Sequence, residues 1–322
     1  MRRLFTVLAA AVLLLTACAP GEGDASAPTS SAGVEQSAQG TCTFTDSLGN
    51  TVELEQPPKR VAALLGSYAE TWLLAGGEVV AVTQDAYDER GLELPEDTVN
   101  LGANQQPDLE ALFAEPDLVL LTPDLDGQMG LKDSLAAAGI PAAWFKVETF
   151  DDYLNMLKIC TDLTGRSDLY QKNGLDIQSG IDAAIASVPE GEGPTVLLLR
   201  AYSSGVRAKN SDSIAGAMLK DLGAVNIADS NSGLLEDLQM ESILAADPEF
   251  IFVTTMGASQ EAALKSLDEL LHSDPAWQTL TAVKEGRVEV LPKDLFHYKP
   301  NARWGESYQM LAELMYGSGE TA

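Results

Sequence analysis

Short apolar runs rich in Val and Leu recur at 61–65, 79–83, 118–122 and 142–147, and again at 196–200, 225–228, 250–255 and 288–291. Successive rather than alternate residues are apolar, which marks strands buried on both faces, as in a parallel sheet covered by helices. The stretches 108–114, 130–138 and 212–222 have the length of crossover helices. The pattern therefore predicts an α/β protein of two doubly wound lobes, over residues 41–166 and 190–318. Between them, Ser167 or Asp168 suits an N-cap, and Tyr170, Asn173, Gly174, Ile177, Ile181 and Ile185 follow along one face at helical spacing. Pro189 and the run Gly191-Glu192-Gly193-Pro194 stop that pattern, so residues 167–189 read as one long interdomain helix. Gly174 is its weak point, since glycine disfavours a helix interior.

An internal repeat points the same way. Residues 107–120 and 238–252 each read as a short helix with a glutamate in its first turn, then Pro with an acid, then a buried strand. The glutamates are Glu110 and Glu241. A helix dipole favours acid at that end, but the matching place in both halves is a further coincidence.

At the N-terminus, Arg2 and Arg3 precede an apolar run over 4–15 and then Leu15-Thr16-Ala17-Cys18. That run is too short for a membrane span, which takes about 20 apolar residues, and has the form of a secretory signal. Leu-Thr-Ala-Cys resembles the lipobox of bacterial lipoproteins, so residues 1–18 read as a lipoprotein signal and Cys18 as the lipidated residue. Residues 19–40, rich in Gly, Ser, Ala and Pro, read as a flexible tether. The expected location is extracytoplasmic, on the bacterial cell membrane through a lipid anchor. The net charge of −28, from 48 acidic and 20 basic residues, argues against nucleic acid as a partner. Cys42 and Cys160 remain after Cys18, and the sequence leaves open whether they pair.

The segment Thr43-Phe44-Thr45-Asp46-Ser47-Leu48-Gly49-Asn50-Thr51-Val52-Glu53-Leu54, followed by Pro57-Pro58-Lys59-Arg60-Val61, reads as a hairpin stopped by prolines. It resembles the opening of the helical-backbone periplasmic binding proteins, the solute receptors of ABC importers for iron-siderophores, haem and cobalamin. The Glu110 and Glu241 segments, Lys209-Asn210-Ser211-Asp212-Ser213-Ile214 and Gly286-Arg287-Val288-Glu289-Val290-Leu291-Pro292 extend the resemblance to about Tyr316. It implies a monomeric receptor, not an enzyme and without a resident cofactor, that takes an iron complex, ferric siderophore or haem, to permease subunits. A corrinoid is the alternative within the family. Glu110 and Glu241 match the paired glutamates with which the family docks on its permease.

Ligands of such sheets sit at the carboxyl ends of the strands. That rule selects Gly66-Ser67-Tyr68, Gln84-Asp85-Ala86-Tyr87 and Pro123-Asp124 in the first half. In the second it selects Arg200, Tyr202-Ser203-Ser204, Arg207, Thr255-Met256-Gly257 and Phe296-His297-Tyr298. Tyr68, Tyr202 and Met256 are candidate apolar wall. Arg200, Arg207, Lys209, Lys299 and Arg303 suit an anionic ligand, since guanidinium groups grip carboxylates in pairs of hydrogen bonds. Tyr87 and His297 are candidate iron ligands if the ligand is haem, because phenolate and imidazole both bind ferric haem. Tyr87 also falls where haem-binding members place a ligand tyrosine, though Asp88-Glu89-Arg90 after it departs from their pattern. Trp72, Trp144 and Trp304 fall inside predicted elements, unlike the cleft tryptophans of corrinoid-binding members. With His272 and His297 the only histidines and no Gly-x-Ser-x-Gly elbow, a hydrolase has few candidates. A receptor for free zinc or manganese would want three or more clustered ligands, and a chelatase, which shares the layout, is the other rival.

Overall fold

The computed structural model describes residues 33–38, 40–112, 116–257 and 259–317. The expected signal, Cys18 and residues 19–32 of the expected tether lie outside them. The tether assignment is corrected at its end. Glu35–Gln36 is a strand, β1, paired antiparallel with β2 (Cys42–Thr45), and Val34 N–H donates to Asp162 at 3.1 Å. An open edge of β2 recruits the chain there, which composition alone does not register.

β2 continues through the expected hairpin into β3 (Thr51–Leu54). Asp46 shapes the turn, its Oδ1 accepting from Leu48 N at 3.0 Å and Asn50 N at 2.8 Å, and Gly49 supplies φ 79°.

The first five-stranded sheet holds β4 (Val61–Ala63), β5 (Val79–Val82), β6 (Val99–Asn100), β7 (Leu118–Leu121) and β8 (Ala142–Trp144). All pairs are parallel and the order is β6-β5-β4-β7-β8. The second sheet holds β9 (Thr195–Tyr202), β10 (Gly205–Lys209), β11 (Val225–Asn226), β12 (Phe250–Thr255) and β13 (Val288–Val290). There β11 and β12 flank β9 in parallel, β13 follows β12, and β10 folds back antiparallel on β9. All eight apolar runs become strands. Both sheets reverse direction beside their first strand, between β4 and β7 and between β9 and β12, and such a switch point opens a crevice for ligand.

From Ser167 to Ala186 the chain is helical in three consecutive pieces: Ser167–Tyr170, a wide π turn over Gln171–Leu175, and Asp176–Ala186. The wide turn falls at the expected weak point. Gly174 lies against the helix Phe150–Thr164, where a Cβ would meet Leu154 Cδ2 at 2.9 Å. Asn173 accepts from the Tyr153 hydroxyl at 2.8 Å and donates its amide to Leu74 O at 2.8 Å. Close packing and two hydrogen bonds, one buried and one partly buried, thus hold a turn that an α-helix would not make.

One cluster of buried apolar side chains runs through both sheets, with Val61 and Leu120 from the first and Val196 and Phe252 from the second. Two further clusters lie one in each half. All four tryptophans, Trp72, Trp144, Trp277 and Trp304, are buried in this packing. Cys42 and Cys160 are free buried thiols, and burial pushes the Cys160 thiol well up. No helix among the described residues is long and apolar enough to cross a membrane.

Candidate functional site

A cleft of about 670 Å³ opens where the two switch points face each other. From the first half, Leu65 and Ser67 follow β4, Asp85, Glu89 and Arg90 follow β5, and Thr122, Asp124 and Leu125 follow β7. From the second, Arg200 and Lys209 come from the β9–β10 ribbon, Met256 and Gly257 follow β12, and Lys293, His297, Tyr298 and Lys299 follow β13. The strand-end rule therefore located the cleft.

Two buried polar side chains hold its base. Gln128 accepts from Thr122 N at 2.9 Å and donates to Leu64 O at 2.5 Å and Asn104 O at 2.9 Å, tying the loops beyond β4 and β7 together. Asn301, at φ 53°, donates to Ser67 O at 2.9 Å and Glu70 at 2.7 Å, so the second half is hydrogen-bonded to the helix Gly66–Leu74 of the first. Glu70 is also ion-paired with the buried Arg90.

The second-half wall is mainly basic, with the carboxylate of Asp212 also in its lining. Arg200, Lys209, Lys293 and Lys299 all line the cleft, and none of them forms an ion pair among the described residues. Their contacts are weak ones. Arg200 Nε reaches Thr254 Oγ1 at 3.4 Å, Lys293 donates to Gly257 O at 2.9 Å, and Lys299 stands over the Tyr68 ring. Burial, then the neighbouring Arg200, lowers the Lys209 ammonium, and burial lowers Lys299. His297 sits among them. Burial first, then Arg200, Lys293 and Lys299, hold its imidazole down to about 3, so it is neutral near pH 7. Its Nδ1 is buried and has no hydrogen-bond partner among the described residues.

Other expected site residues lie elsewhere. Tyr68 is 1% exposed, its hydroxyl donating to Phe145 O and its ring edge-on to Phe145, so it supports the floor from below. Tyr87 is half-buried on the short helix Asp85–Asp88, packs against the main core and does not line the cleft. Tyr202 ends β9 where a tight turn through Ser203 and Ser204 starts β10, rather than a loop over the ligand. Arg207 faces Arg200 across the ribbon but is exposed outside the cleft. Arg303 is held in ion pairs with Asp294 and with Glu306, the latter at 2.7 Å, because it begins a helix whose first turn carries that glutamate. Glu110 and Glu241 are exposed, each in the first turn of its short helix. Arg90, Asn104, Gln105, Glu148 and Lys293 were missed by the sequence reading, though all line the cleft. Lys293 alone had a local signal, following Pro292 just beyond the last strand.

Residues 61–295 match the sequence profile of the periplasmic binding protein family. The chain belongs to that family. No curated protein sequence matches the chain. Among solved structures, the siderophore-binding protein BauB, bound to two acinetobactin molecules and ferric iron, is similar at 17% identity and TM-score 0.68, covering 86% of this chain and 99% of its own. Staphylococcus aureus SirA, complexed with staphyloferrin B, is 22% identical with TM-score 0.61, covering 85% and 97%. S. aureus IsdE, complexed with heme, is 16% identical with TM-score 0.66, covering 80% and 98%. At these identities the likeness establishes the shared fold. Family membership implies an extracytoplasmic location. Among the described residues, no group of three or more His, Cys, Asp or Glu could hold a metal ion.

Proposed function

We propose that this protein is the receptor of an ABC importer and captures an anionic iron chelate, a ferric siderophore in preference to haem. One observation carries the reading: four cations that form no ion pair among the described residues, Arg200, Lys209, Lys293 and Lys299, line the second-half side of the cleft in a chain of net charge −28. Unpaired, partly desolvated cations are costly to keep together and are repaid when an anion arrives. Similar folds that hold a ferric siderophore complex, as in BauB, support the ligand class.

Haem ligation by Tyr87 together with His297 has less support, since Tyr87 does not line the cleft. In a siderophore complex the chelator already saturates the iron, and cations that meet the chelator's carboxylates are what the protein must supply. Cys18 is the proposed lipid anchor, residues 1–18 the proposed signal, and residues 41–166 and 190–318 the proposed lobes on the 167–189 helix. Glu110 and Glu241 are the proposed contacts with the permease, one from each half, where paired charges fix orientation. The test is a panel of carboxylate-bearing ferric siderophores, haem and cobalamin, read by melting shift and absorbance. The expected result is a raised melting temperature with one or more of the ferric siderophores and no Soret shift with haem. A Soret band that His297→Ala abolishes would put haem in their place.

A further inference from the structure

The wall opposite the basic residues has its own chemistry. Asp85 lines the cleft yet is only 9% exposed. One carboxylate oxygen, Oδ2, accepts the Gly66 N–H at 2.7 Å, at the start of the helix Gly66–Leu74. That approach needs glycine, since a Cβ at 66 would stand 2.7 Å from Ala86 N. The other oxygen, Oδ1, is buried and accepts no hydrogen bond among the described residues. A buried carboxylate oxygen left without a donor costs stability.

Its surroundings are acidic as well. Glu89 lines the cleft one turn on, and burial raises its carboxyl while the Tyr298 hydroxyl bonds to it. Arg90, the nearest guanidinium in sequence, is ion-paired with Glu70. Asp124 and Glu148 extend the same wall. The carboxylates Asp85, Glu89, Asp124 and Glu148 come from first-half loops, beside Arg90, and the cations Arg200, Lys209, Lys293 and Lys299 from second-half segments, beside Asp212.

We infer that Asp85, with Glu89 beside it, forms a cation-binding subsite that takes a protonated primary amine of the ligand, so that the chelate carries an amine at one end and acceptor oxygens at the other. This rests on the reading of the cleft as an iron-chelate site. An ammonium suits the subsite because it donates to Oδ1 and brings the charge that two adjacent carboxylates favour. A purely polyanionic chelate would leave Oδ1 unsatisfied and set like charges together.

Three probes on one scaffold separate the possibilities: the ferric complex of a linear trihydroxamate with a terminal primary amine, ferrioxamine B, and the same complex with that amine acetylated or succinylated. Affinities are read by quenching of tryptophan fluorescence. The amine form should bind about tenfold or more tighter than the acetylated form, the size of one charge-assisted hydrogen bond. Asp85→Asn keeps an oxygen for Gly66 N–H but loses the charge, and should bring that ratio close to one, with a melting transition showing that the variant is folded. Glu89→Gln should lower the ratio partway. Equal affinity for the amine and acetylated forms, or a preference that survives Asp85→Asn, overturns the subsite. If only the succinylated form binds, and Arg200→Gln weakens it, the anion reading stands and the amine subsite falls. If none of the three binds while a carboxylate-bearing ferric siderophore does, the amine subsite falls and the iron-chelate reading stands; if neither those probes nor the carboxylate-bearing siderophores bind, the iron-chelate reading fails.

Discussion

In an unfolded chain His297 titrates near 6.5, whereas in the cleft burial and three cations hold it down to about 3. The unfolded state therefore binds the extra proton first as pH falls. The stability that neutral burial allows is complete above about 6.5 and is lost progressively toward 3. His297→Asn should accordingly flatten the fall in melting temperature between pH 7 and 5, a window above most carboxylate titrations. An unchanged slope would mean that the imidazole is not held neutral. The sequence marked His297 as a cleft residue because it follows the last strand, but no local pattern tells of the cations around it. Tyr68 shows the converse. Its place after β4 was legible, yet its burial depends on Phe145, which accepts its hydroxyl from 77 residues away. Arg303 was misplaced for a more local reason, since Glu306 three residues on already marked an ion pair on one helical turn.

At the scale of elements, runs apolar on both faces located every long parallel strand, because double burial leaves a local signature. The antiparallel β10 was not legible. Its sequence Gly-Val-Arg-Ala-Lys alternates with its face half exposed, and pairing with β9 alone fixes it. The helical stretch after Ser167 was legible in its extent and its buried face. Its π turn was not, because the partners Tyr153 and Leu74 belong to other helices. Asn173→Ala removes the donor to Leu74 O and leaves that carbonyl unpartnered. It should cost about 1–3 kcal/mol of unfolding free energy, measured by urea titration. A change under a few tenths would mean that water replaces the bond freely and that the turn does not depend on it.

For the whole molecule, a core continuous through both sheets, with Asn301 hydrogen-bonded across, favours a receptor whose halves move little on binding. On the proposed function, fixed surface charges such as Glu110 and Glu241 are what a permease would recognise. Glu110→Arg with Glu241→Arg should abolish uptake in cells while ligand affinity stays within about twofold, since neither residue lines the cleft. Normal import by that double variant would remove the docking assignment. The basic wall, which forms no ion pair among the described residues, is proposed to hold an anionic chelate. A trade between stability and function follows, because Arg200 and Lys209 repel each other. The most direct measurement is a calorimetric titration of the wild type and of Arg200→Gln/Lys209→Gln with a carboxylate-bearing ferric siderophore, with the melting temperature of each ligand-free protein. The account predicts at least about a tenfold loss of affinity in the double variant, together with a melting temperature equal to or above that of the wild type. Undiminished affinity in the folded double variant would contradict it.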